Sequence, residues 1–120
     1  MGISSLQAIL SAFAEERDWA QFHTPKNLVM ALSGEVGELA AEFQWLTSEQ
    51  AAQVMEDPER AEAVRQELAD VFSYLLRLAD VLDVDLEEAL RAKVAINETR
   101  YPADRARGNA LKYTAHQRGT

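Results

Sequence analysis

Between Asp57-Pro58 and Asp83 the apolar residues Ala61, Val64, Leu68, Val71, Leu75, Leu78 and Leu82 recur in alternating steps of three and four. A helix with 3.6 residues per turn gathers such positions on one face, whereas a strand would scatter them over both. A helix from Pro58 to about Leu82 is roughly 37 Å long at 1.5 Å per residue. An apolar seam of that length must be buried against a partner, and its steps are those of a helix-bundle seam.

A second seam supplies a partner. Leu28, Leu32, Val36, Leu39, Phe43 and Leu46 follow steps of four and three. Thr24-Pro25 opens this helix with a capping hydroxyl and a proline at the first helical position. Leu6, Ile9, Leu10 and Phe13 mark the buried face of an earlier helix, expected from about Ser5 to Trp19 with Ser4 or Ser5 as its cap. Ala20 to His23 read as a short connection. Thr47 with Gln50, and Asp85 with Glu88, have the capping-box spacing. They open a short helix after Thr47 and a last long helix from Leu86 to about Arg100, which Pro102 ends. The expectation is an all-α chain: a four-helix-bundle core over residues 1–102, one short extra helix, and a basic tail over 103–120.

The 120 residues leave room for one domain with a thin core, so oligomerisation is expected to bury more surface. The chain has 20 acidic and 12 basic side chains, a net charge of −8. Residues 1–99 carry −12 and residues 100–120 carry +4. A body this acidic is not built to bind nucleic-acid backbones, which require clustered Lys and Arg. There is no cysteine, which excludes disulfides, thiolate zinc sites and a Cys nucleophile. No apolar run is long enough to span a bilayer. Met-Gly-Ile-Ser-Ser lacks the basic region and apolar stretch of a secretory signal. No membrane partner and a cytoplasmic location are therefore expected.

Two acidic pairs stand beside the seams. Glu35 and Glu38, with Glu42 beyond them, border the Leu32–Phe43 stripe. Glu67 and Asp70, with Tyr74 a turn further, border the Val64–Leu75 stripe. Residues three or four apart share a helix face. If the two stripes pack together, four carboxylates meet beside the interface and repel unless protonated or neutralised. An all-oxygen set of this kind suits Mg²⁺ or Mn²⁺. Di-iron bundles use Glu-x-x-His, and neither His23 nor His116 stands in that relation to a carboxylate. Gly34 and Gly37 each cost about 1 kcal/mol against Ala inside a helix, which suggests close packing or close approach of a ligand. Without a metal, the same acids would simply be solvated helix faces.

Gly34-Glu35-Val36-Gly37-Glu38-Leu39, Glu42-Phe43-Gln44-Trp45, Glu67-Leu68-Ala69-Asp70-Val71, Lys93, Asn97 and Arg100-Tyr101-Pro102 together resemble the MazG-like all-α nucleotide pyrophosphohydrolases. The dCTP pyrophosphatase branch is the most similar. The resemblance covers about Leu6 to Pro102. It implies Mg²⁺-dependent hydrolysis of a nucleoside triphosphate between its α and β phosphates, a four-helix core, and a dimer or tetramer. It also implies that Glu35, Glu38, Glu67 and Asp70 are metal ligands, and that Trp19, His23, Trp45, Tyr74, Lys93 and Asn97 line the nucleotide site. Other members carry Glu where this chain has Gly34, a departure that agrees with the dCTP branch.

Lys93, Asn97 and Arg100 step i, i+4, i+7 along one face, which is either a solvated face or a clamp for phosphate and base. Glu38, offset on the helical wheel from Glu35, is the expected general base. Arg77 reads as surface, and His116 is given no role. The expected reaction is hydrolysis of dCTP, or a modified dCTP, to monophosphate and pyrophosphate, cleansing the nucleotide pool. The alternatives are the same fold acting on dUTP or phosphoribosyl-ATP, a non-enzymatic helical interaction module, and a metal-binding regulator without turnover.

Overall fold

Prolines and caps set where the helices of this computed structural model begin. The structure describes residues 2–110; residues 111–120 of the expected tail, with His116, to which no role is given, lie outside them. The chain divides into two compact units, residues 1–84 and 85–120. The first unit holds α1 (Ile3–Glu16), α2 (Pro25–Ala41), α3 (Ser48–Ala52) and α4 (Pro58–Val81), with single 3-10 turns at Ala20–Phe22 and Val54–Glu56. The second holds α5 (Leu86–Arg100) and α6 (Ala103–Ala106). There is no strand among the described residues.

Thr24 Oγ1 accepts from the Asn27 amide, and Pro25 takes the first position of α2. Thr47 and Gln50 close a reciprocal capping box at α3. Asp57 caps α4 ahead of Pro58 by accepting from Glu59 N–H. Asp85 caps α5 by accepting from Glu88 N–H. Each cap satisfies an amide that the helix itself leaves without a partner.

The ends differ from expectation. The first helix begins at Ile3, capped by the Gly2 backbone and not by Ser4 or Ser5, and stops at Glu16, short of Trp19. The second ends at Ala41, and residues 42–45 turn, so Phe43 and Leu46 leave the stripe's helix. The tail opens with a helical turn, α6.

Helices α1 and α4 end in the same way. Asp18 and Asp83 both take φ of +56°. The next amides, Trp19 N–H and Val84 N–H, reach back to Ala14 O and Ala79 O at 2.8 Å. The aspartate amides bond to Glu15 O and Asp80 O at 3.0 and 3.1 Å. This is a Schellman ending with aspartate where glycine usually stands.

In the first unit α4 is central. It packs most extensively on α2 and also against α1. Gln7 of α1 ties the helices further by donating to the Leu76 carbonyl at 3.0 Å. The buried line on α4 departs from the 3.5-residue seam read from sequence. Ala61 and Val64 are buried as expected, but further along Leu76 and Ala79 replace Leu75 and Leu78. A straight helix drifts about 20° per heptad against a 3.5-residue repeat, so over three heptads burial moves one residue on. That leaves Leu68, Phe72 and Leu75 at 51%, 44% and 38% exposure. On α1, Leu6, Ile9 and Phe13 are also exposed, and Ala14 is the buried residue. On α2, Leu28 is 1% exposed while Val36 is open. A Cβ at Gly34 or Gly37 would meet no atom within 4 Å, so packing inside the chain does not explain either glycine.

The left-handed endings generate a stability prediction. A side chain in that conformation costs about 1–2 kcal/mol, and glycine escapes the cost. Asp83→Gly should therefore raise the free energy of unfolding by about 1 kcal/mol, and Asp83→Val should lower it by at least that much. Urea titrations of the two variants beside wild type check both signs.

Candidate active site

Because α2 packs on α4, the acids that border their stripes are brought together. One carboxylate oxygen from each of Glu35, Glu38 and Glu67 lies within 4.8 Å of the others. Glu35 and Glu67 are half-buried and Glu38 is exposed. Oε2 of Glu35 and Oε2 of Glu67 are shut off from solvent and have no hydrogen-bond partner. A buried carboxylate oxygen without a donor is costly, so both atoms call for a cation or a proton.

The protonation energetics agree. Glu35 is pushed up to about 7, first by burial, then by the negative charge of Glu38 and a hydrogen bond that favours its protonated form, and then by the charges of Asp70 and Glu67. Burial also raises Glu67, with the charge of Glu38 adding to it. A hard divalent cation bound by several carboxylates would relieve burial and repulsion at once. The donor set therefore fits Mg²⁺ or Mn²⁺. Asp70, the fourth expected ligand, lies one turn beyond Glu67. It is outside the three-residue cluster, but its charge acts on both half-buried glutamates.

Asp70 also lines a pocket of about 290 Å³, near the lower end of the range of about 300–1,000 Å³ for small-molecule sites. Leu10 and Phe13 of α1, Trp19 and His23 of the connection, and Tyr74 and Arg77 of α4 form its walls, with Ser73 between. The Schellman ending at Asp18 puts Trp19 in place. Its ring meets Phe13 edge-on at 5.8 Å, and the Arg17 guanidinium lies 3.6 Å over the other ring.

Three of the expected nucleotide-site residues, Trp19, His23 and Tyr74, thus share one pocket with Asp70. Trp45 does not join them: it follows the early end of α2 and is 87% exposed. Lys93, Asn97 and Arg100 lie on α5 of the second unit, Asn97 half-buried and the other two exposed. Arg77 corrects the surface reading. Its side chain is only 12% exposed and donates from Nε to His23 Nδ1 at 3.1 Å. Phe13 and Leu10, read as one buried helix face, are pocket walls. The missed signal was spacing: Asp70, Ser73, Tyr74 and Arg77 fall at i, i+3, i+4 and i+7 of one face.

Fold and site define a class: an all-helical protein with carboxylates from two packed helices beside an aromatic pocket. Residues 30–115 match the model of the MazG-like family, and the chain belongs to that family. It is 44% identical to mouse dCTP pyrophosphatase 1 over 118 residues, 98% of this chain and 69% of the relative. It is 47% identical to the rat protein of the same name over 119 residues, again 98% and 69%. The crystal structure of a pyrophosphatase from Archaeoglobus fulgidus superposes with a TM-score of 0.77 at 42% identity, covering 82% of this chain and 91% of that one.

The raised Glu35 carboxyl has a defined linkage sign. With a folded value of about 7 against an ordinary 4.5, the folded state holds more protons between these pH values. Stability from this group is present at low pH and lost as pH rises through 7. In EDTA, Glu35→Gln should leave stability near wild type at pH 5 and raise it above wild type at pH 8. Urea midpoints at the two pH values check this.

Proposed function

We propose that this chain hydrolyses dCTP, or a dCTP with a modified base, to the monophosphate and pyrophosphate with Mg²⁺ or Mn²⁺, and so cleanses the cytoplasmic nucleotide pool. The broader statement is firm: as a member of the MazG-like family with dCTP pyrophosphatase relatives, the chain is a nucleoside triphosphate pyrophosphohydrolase. The observation that carries the metal-dependent reading is the convergence of three carboxylates with two orphaned oxygens beside an aromatic pocket.

In this reading Glu35, Glu38, Glu67 and Asp70 hold the cation. When bound, it supplies charge neutralisation toward the triphosphate and makes phosphorus more electrophilic. Water adds at phosphorus of the α–β anhydride, and the bridging P–O bond breaks. Glu38, the solvent-open member of the cluster, takes the proton from that water. Trp19 and Tyr74 offer ring faces to the base, and His23 a polar contact at its edge. Lys93 and Arg100 give positive charge to the phosphates, and Asn97 a polar contact. Trp45 serves the base from its exposed turn, where a ring is best used against a ligand or a second copy. Residues 1–102 act as the enzymatic domain and 103–120 as its basic tail.

The same reading takes the working form to be a homodimer or homotetramer with a four-helix core. Leu68, Phe72 and Leu75 support it: an apolar stripe left in water on the central helix is an expected interface. Sedimentation should give two or four times 13.4 kDa. Leu68→Glu should shift the mass downward.

Product chromatography tests the reaction. With Mg²⁺, dCTP should yield dCMP and pyrophosphate faster than any other nucleotide in a panel of dNTPs and NTPs. EDTA should abolish turnover, and Glu35→Gln should lower it by about a hundredfold or more, the scale of losing a principal electrostatic group. A diphosphate product, or a Glu35→Gln variant as fast as wild type, would contradict the proposal.

A further inference from the structure

The contact between Arg77 and His23 joins residues 54 apart in sequence, unlike the local pairs Arg65–Glu62 and Arg91–Glu87. It ties α4 to the connection that carries Trp19. Arg77 is itself held on its other side, where Nη1 lies 3.5 Å from Asp80 Oδ2.

Arginine has donors only, so the ring nitrogen that meets its Nε–H must be bare. A flipped ring would present a carbon there and lose the bond. Both the orientation of the imidazole and its tautomer are therefore fixed: Nδ1 accepts, and the one ring proton sits on Nε2. Burial and the Arg77 charge both oppose a second proton on His23.

We infer that Arg77 is a positioning residue, which locks His23 as the Nε2–H tautomer and so gives the pocket a fixed hydrogen-bond donor for an acceptor atom on the nucleobase edge. The inference rests on the nucleotide reading for its ligand, but its geometry does not. The walls around His23 include Trp19, Phe13 and Tyr74, which suit a flat ring. Ring faces read shape and stack with any base, so discrimination requires an edge contact, and a donor is selective only when it cannot turn into an acceptor. A mobile imidazole presents either. A locked one offers the donor alone.

Nitrogen-15 spectra of the imidazoles in the nucleotide-free protein at pH 8 test the lock, with the His23 signals identified by their loss in His23→Gln. Wild type should show one pyridine-like Nδ1 and one pyrrole-like Nε2. Arg77→Gln should move both toward averaged positions. Arg77→Lys, which retains a cation beside Asp80 and guards against misfolding, should do the same. Kinetics with dCTP should show KM raised about threefold to tenfold in either variant, the scale of one hydrogen bond, with kcat within about twofold of wild type. In a His23→Gln background, Arg77→Lys should change KM no further.

An averaged or Nδ1-protonated His23 in active wild type, spectra unmoved by the Arg77 substitutions, or additive effects on KM would overturn this inference. A locked His23 in a protein that turns over no nucleotide would support the geometry and overturn the nucleotide reading.

Discussion

Everything in the first unit depends on the packing of α2 on α4. Apolar burial drives these helices together: Leu28 is the buried residue of α2, and Ala61, Val64, Leu76 and Ala79 are those of α4. The acids that border the same stripes must then converge. Burial at this contact stabilises the fold, while the carboxylates beside it repel one another and lose solvent. The result is a cluster with a strong appetite for positive charge.

Such an arrangement also resolves why so acidic a protein should take an anionic substrate. Bare carboxylates would repel a triphosphate. A divalent cation held there would invert the local sign, and the pocket beside them could then be apolar and aromatic without losing the phosphates. The two halves of the site are linked by α4. Glu67 belongs to the charge cluster, Asp70 acts on that cluster and also lines the pocket, and Tyr74 and Arg77, further along the same helix, line the pocket too.

Much of this was legible in the sequence because helices obey simple spacing. Caps at Thr24, Thr47, Asp57 and Asp85 fix four helix starts through local chemistry alone. The acidic pairs were legible for the same reason, since i, i+3 neighbours share a face whatever the tertiary context. Helix ends were harder. Asp18 and Asp83 adopt a left-handed conformation more often taken by glycine, and nothing in an isolated aspartate announces it. The burial of Leu76 in place of Leu75 was hidden because a heptad count cannot show the drift of a straight helix. Arg77 was misread because an arginine is ordinarily solvated. Only its contact with His23, far away in sequence, reveals that its charge is turned inward.

The central claim is that the carboxylate cluster is a cation site, in which burial and mutual repulsion push the empty site's Glu35 up to about 7 and raise Glu67. Calorimetric titration with Mn²⁺, repeated at one pH in buffers of different ionisation enthalpy, measures both binding and the protons released. The account predicts saturable binding with proton release near pH 6.5, falling toward zero by pH 9, because Glu35 titrates at about 7. Binding should be lost in Glu67→Gln. Absence of saturable binding to the folded protein, or binding that Glu67→Gln leaves intact, would contradict it.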